Sequence, residues 1–200
     1  MNRRRDLVRL GLLGPLVAAC PAVRAQSDAA PGPGPELDVP YVVTPQAVVD
    51  AMLELAEVGP GDRLLDLGCG DGRVVVSAAV RWGTHGLGVD NDPSLVDRAR
   101  RNAWDAGVAD RARFAVQDLF ETDLAQASVI TMYLLPDVNL ALRPRLRRLR
   151  PGTRIVSHDW HMGDWAPRRA IEVPAPGKTV APRDKSRLML WVVDPPDAGA

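Results

Sequence analysis

Cysteine is almost missing from this sequence, with only Cys20 and Cys69 in 200 residues. Two cysteines build no disulfide framework, so stability must come from a packed core. Net charge is missing too, with 25 basic against 25 acidic side chains. That balance is uneven along the chain, because residues 1–25 hold five arginines and one aspartate. The remainder carries 20 basic and 24 acidic groups, a net of about −4. A mildly acidic body lacks the electrostatic footprint of nucleic-acid binding, so no nucleic acid is expected as a partner. No apolar run reaches the length of a membrane span. The candidate, Leu10 to Cys20, is 11 residues long and broken by glycine and proline. There is no internal repeat. What remains is ordinary for one globular domain: 46% hydrophobic and 25% charged residues.

The first residues read as a targeting segment over 1–25. Arg3-Arg4-Arg5 precede an apolar stretch of signal-peptide length. Arg4-Arg5-Asp6-Leu7-Val8 resembles the twin-arginine export motif. Val23-Arg24-Ala25 offers a cleavage point with a mature start near Gln26, whereas Val17-Ala18-Ala19-Cys20 offers an acylated Cys20. The expectation is export to the periplasm or a membrane anchor, with membrane contact only through this segment if it is uncleaved or lipidated. A start codon placed too far upstream would instead leave the protein cytoplasmic. Residues 26–39, rich in Pro, Gly and Ala, read as a flexible linker, 40–194 as the domain, and 195–200 as a disordered tail.

Within the domain, strand and helix patterns alternate. Thr44 and Pro45 predict an N-cap and first helical residue, with Val48, Val49, Met52, Leu53 and Leu55 facing the core. Strands are predicted at Arg63–Leu67, His85–Val89, Arg113–Gln117, Ser128–Tyr133 and Thr153–Ser157. Helices are predicted at Asp71–Trp82, Pro93–Ala106 and Val138–Leu149, the last rich in arginine. Ala170–Val173 and Arg187–Val193 predict a closing antiparallel hairpin. The strands are continuous Val/Leu/Ile runs, as burial on both faces requires. This is a doubly wound α/β fold with a mostly parallel seven-stranded sheet.

In such folds ligands bind beyond the carboxyl ends of the strands. The first strand there meets Gly68-Cys69-Gly70-Asp71-Gly72, a turn that lets backbone N–H groups approach a ligand. A dinucleotide turn would read G-x-G-x-x-G, but here the third glycine arrives one residue early. Asp66 and Asp71 flank the turn; they would repel a pyrophosphate and suit an ammonium. Cys69 reads as a small filler of the turn. Asp90 admits a plain reading as the N-cap ahead of Pro93.

The segment Asp66 to Gly72 resembles motif I of the class I S-adenosylmethionine (SAM) dependent methyltransferases, which share a Rossmann-like fold. The resemblance implies SAM as cofactor, held by Asp66, Gly68, Cys69, Gly70, Asp71 and Gly72. It places Asp90, with Asn91 after it, at the ribose, and Asp118 and Leu119 at the adenine. It sets Tyr133, in Met132 to Pro136, facing the transferred methyl. A narrower likeness joins Val39–Pro45 and Leu146–Asp159 to small prokaryotic relatives of the mitochondrial protein-lysine methyltransferases that act on the ATP synthase c subunit. That likeness implies that Tyr41 and Thr44 close over the cofactor, although Val43 stands where the usual proline would be.

The implied partner is a methyl acceptor, a protein or a small molecule. Tyr133 and Asp159 are the candidate catalytic residues, the latter holding or deprotonating an amine. No metal is expected: a zinc site from His158, Asp159 and His161 is disfavoured because adjacent residues on a strand point to opposite faces. The arginine-rich helix reads first as a solvated face. Two alternatives stand beside the enzyme: an exported ligand-binding protein that keeps the fold without turnover, and an NAD(P)-linked oxidoreductase.

Overall fold

A computed structural model describes residues 41–195. The expected targeting segment 1–25, the linker 26–39, Pro40 and residues 196–200 of the expected tail lie outside the described residues.

Helix α1 (Gln46–Leu55) buries Val48, Val49, Met52, Leu53 and Leu55, the predicted face. It begins later than predicted. Pro45 has φ −58° and ψ 146°, an extended conformation at the N-cap position, and no side chain caps the helix. The Thr44 carbonyl instead accepts a hydrogen bond from Arg73 Nη1 at 2.8 Å.

Strands β1 (Arg63–Leu67), β2 (His85–Asp90), β3 (Ala112–Val116), β4 (Val129–Met132) and β5 (Arg154–His158) are parallel neighbours. Antiparallel β6 (Arg169–Pro174) and β7 (Lys185–Val192) close the sheet, in the order β3-β2-β1-β4-β5-β7-β6. The strand order reverses between β1 and β4, which is where a ligand crevice opens in such sheets.

Between the strands run α2 (Arg73–Trp82), α3 (Pro93–Asp105) and α4 (Pro136–Leu146). Helix α2 starts two residues later than predicted because Gly72, at φ 78°, is left-handed and stays outside it. Asp92 caps α3, its Oδ1 accepting from Ser94 N at 2.8 Å. The plain reading of Asp90 as that cap is therefore set aside.

Apolar residues of α1, α2 and α3 form one core, including Leu53, Val75, Val96 and Ala99. Leu142 and Leu146 of α4 join Ile130, Ile155, Met162 and Trp191 in the other. The arginines of α4 mostly serve the chain itself. Arg143 donates to the Met162 carbonyl at 3.1 Å and Arg145 to the Thr122 carbonyl at 2.6 Å, while Arg147, just past the helix end, lies over Trp165.

Candidate active site

The parallel register brings the carboxyl ends of five strands to one edge. Leu67 pairs with Val89 and with Met132, Met132 with Ser157, and Asp90 with Val116. The glycine turn folds over this edge: the N–H groups of Gly68 and Cys69 both donate to the Val89 carbonyl at 2.9 Å. Gly68, Gly70 and Gly72 have φ of 73°, 53° and 78°, a region other residues enter at a cost. Asp90 reaches back from the end of β2, and its Oδ2 accepts from Gly70 N at 2.8 Å. Asp66, the turn and Asp90 thus form one constellation.

Asp66 is buried, and among the described residues its single side-chain donor is the Thr131 hydroxyl at 2.6 Å. Burial first, then the charges of Asp90 and Asp71, push its pKa up to about 7. A carboxyl held this way sits in a place short of positive charge. The same burial, with Asp66 and Asp90 nearby, raises the Cys69 thiol far above its usual range, so it stays protonated and is no nucleophile.

Asp71 is not open in the same way. Arg73 takes both its oxygens, Nε to Oδ1 at 2.9 Å and Nη2 to Oδ2 at 2.5 Å, and holds its pKa below the ordinary value against the effect of burial. Arg73 also holds the Thr44 carbonyl, and Asn102 Nδ2 donates to the Asp71 carbonyl at 2.9 Å. Residues 41–45 are thereby tied to the turn, and a Cβ placed on Gly70 would lie 2.3 Å from the Tyr41 ring. Sequence reasoning missed both Arg73 and Asn102, because an aspartate–arginine pair two residues apart carries no periodic signal. Arg73→Met is expected to loosen the 41–45 segment and raise the KM for cofactor more than it lowers kcat, as steady-state kinetics would read.

Asn91 is exposed after β2. Asp118 turns its own loop, accepting from Phe120 N at 2.7 Å, with half-buried Leu119 beside it. Tyr133 follows β4; its ring stacks on His158 with centroids 3.8 Å apart, and its hydroxyl donates to Asp159 Oδ2 at 3.3 Å. Burial and the Asp159 charge raise the Tyr133 phenol well above its usual range. His158 is held neutral, at about 4, mainly by burial. His161 accepts from Gly163 N at 2.9 Å, and Trp165 packs against Trp191.

The residues fit SAM. Gly68 leaves the turn exposed at the strand edge, buried Asp66 asks for a cation, and Asp90 ends β2. The N–H groups of Gly68, Cys69, Gly70 and Gly72, expected to meet a ligand, are taken within the protein, by the carbonyls of Val89 and Cys69 and by Asp90. A pyrophosphate would meet these carboxylates instead of the cations it needs, which sets the oxidoreductase reading aside.

Known proteins agree with this geometry. A model of the ANTKMT methyltransferase domain matches residues 66–169, just over half of the chain. A protein-lysine N-methyltransferase of Saccharolobus islandicus is 42% identical over 137 residues, covering 68% of this chain and 85% of that protein. The mouse adenine nucleotide translocase lysine N-methyltransferase is 33% identical over 66% of this chain and 57% of that protein. The human lysine N-methyltransferase of the ATP synthase c subunit is 30% identical over 64% of this chain and 55% of that protein. The chain therefore spans little more than half the length of these mammalian relatives. Among solved structures, an RNA methyltransferase from Salinibacter ruber in complex with S-adenosyl-L-homocysteine is 46% identical, with a TM-score of 0.70. That match covers 80% of this chain and 98% of the Salinibacter chain. Sheet, turn and relatives converge, and the chain belongs to the ANTKMT methyltransferase family, with SAM as its cofactor.

Proposed function

We propose that this methyltransferase acts on a lysine amine of a protein, received at Tyr133 beside Asp159. The observation that carries the reading is the Tyr133 hydroxyl held 3.3 Å from the Asp159 carboxylate, at the ends of β4 and β5. The archaeal relative, a protein-lysine N-methyltransferase, supports the same acceptor class.

In this reading Asp66 takes the ammonium of the cofactor's amino-acid part and Asp90 its ribose hydroxyls. The backbone of Gly68 to Gly72 lies against it, Cys69 fills the turn, and Asp71 braces the turn through Arg73. Asn91, Asp118 and Leu119 border the adenine, and Tyr41 and Thr44 cover the site. When bound, the sulfonium supplies a methyl group that is already electrophilic. The chain's task is then to align an amine and keep it dry and unprotonated. Tyr133 stays protonated, donates to Asp159 and turns an oxygen lone pair toward the acceptor N–H. His158, stacked beneath it, fixes the ring. Leu135 and Trp160, each 39% exposed, follow Tyr133 and Asp159 in the chain and offer apolar surface there.

The test incubates the full-length chain with methyl-tritiated SAM and an extract of its source cells, followed by hydrolysis. Label is expected in methyl-lysine. Label in methylated nucleosides, the acceptor class of the Salinibacter protein, or no label at all, would overturn the assignment. Residues 1–25 support export as part of this reading. Fractionation of tagged full-length chain is expected to find it in the periplasm or membrane, and a wholly cytoplasmic pool would contradict export.

A further inference from the structure

Lys178 lies in the loop between β6 and β7, and its side chain is 0% exposed. Its ammonium donates to Asp159 Oδ2 at 2.5 Å and to the Lys185 carbonyl at 3.1 Å. Burying an ammonium costs several kcal/mol unless a charge meets it, and such pairs add little net stability over apolar packing. A lysine placed here therefore invites an explanation besides stability, and its partner Asp159 supplies one.

Asp159 stands at φ 61°, a strained position for a residue with a side chain. That backbone aims its carboxylate at three donors: Lys178, the Arg187 N–H at 3.0 Å, and the Tyr133 hydroxyl. Among the described residues the other ionisable neighbour is His158 of β5, whose Nε2 lies 3.5 Å from Asp159 Oδ2 and 2.6 Å from Ser186 Oγ. Strand β5 ends at His158 and Asp159 turns left-handed, so the two side chains do not take the opposite faces expected of strand neighbours. The Lys185 ammonium on β7 is turned away, onto Glu172. With His158 neutral, Lys178 is the cation that balances Asp159.

An open carboxylate at this place would bind an incoming lysine as its ammonium, the form with no lone pair to donate. We propose that Lys178 is a positioning residue that prevents this: by neutralising Asp159 it leaves the acceptor amine to Tyr133 and keeps it from being trapped in the protonated form. The acceptor's proton leaves to bulk water before transfer. This rests on the lysine reading above. It also revises the role expected for Asp159, from a group that holds or deprotonates the amine to a paired carboxylate that orients Tyr133.

The test is calorimetric titration of the full-length chain with n-butylamine, a lysine side-chain mimic, at about pH 7. Lys178→Gln keeps a donor for Asp159 but removes the charge, and is expected to bind the mimic at least tenfold more tightly than the original chain. Lys178→Arg, and the double variant Lys178→Gln with Asp159→Asn, are expected to bind as weakly as the original. Equal binding by the Gln variant and the original, absence of binding in both, or equal gains for Gln and Arg would overturn the proposal. A lysine that merely pins the loop gives no such charge dependence. Amine gating without any methyl-lysine label would overturn the acceptor assignment alone. Methyl-lysine label with unchanged amine binding would overturn this inference alone.

Discussion

Asp66→Asn is expected to stabilise the ligand-free protein while leaving it nearly unable to hold its cofactor. The Asp66 pKa rises from 3.8 to about 7 because the carboxyl is buried with Asp90 and Asp71 nearby. A folded state that holds a proton more tightly than the unfolded chain is favoured in acid, and that advantage is withdrawn as pH rises from about 4 to about 7. The displacement is worth on the order of 4 kcal/mol. Asparagine keeps an oxygen for the Thr131 hydroxyl and removes the titration. Thermal unfolding near pH 8 should show the variant's Tm higher by about 10 °C, with a flatter dependence on pH. The same group must be ionised to meet an ammonium, so cofactor affinity in the original chain should tighten as pH rises through about 7. Titration of the variant with SAM should show little binding at any pH. A variant that is less stable yet binds normally would contradict this role.

Gly72→Ala should be the most damaging single change in the turn. Its φ of 78° carries a penalty for any side chain, and a Cβ there would lie 2.6 Å from the Phe114 ring and 2.7 Å from Ala99 Cβ. Strain of about 1–2 kcal/mol adds to overpacking of about 1–3 kcal/mol. A loss of about 3 kcal/mol should appear in chemical denaturation as a lower midpoint with an unchanged slope. Gly70→Ala offers the contrast. Its new methyl meets the Tyr41 ring, which is 39% exposed and free to swing aside, so cofactor affinity should fall more than stability.

Much of this molecule is legible in the sequence because buried parallel strands announce themselves as apolar runs. The bounds of β1 are those predicted, and the closing hairpin of β6 and β7 pairs as expected. Boundaries fail where one backbone angle decides them: Pro45 stays extended and Gly72 turns left-handed, so α1 and α2 both start late. Helix α4 starts early, at Pro136, since a proline suits the first helical position. Site residues at strand ends can be read, because the register places them together. Those joined by tertiary contact cannot. Nothing local in the sequence links Lys178 to Asp159, or shows that Arg73 engages Asp71 and the Thr44 carbonyl together.

The central proposal is a SAM cradle in which the carboxylate at the end of β2 holds the ribose. Isothermal titration of the full-length chain with SAM, repeated with Asp90→Ala and Asp90→Asn, tests it most directly. Asp90→Ala should weaken binding at least tenfold, about 1.4 kcal/mol, through loss of charge-assisted hydrogen bonds to the ribose. Asp90→Asn, which keeps an acceptor for the Gly70 N–H, should fall between the two. Equal affinity in all three proteins would contradict the assignment.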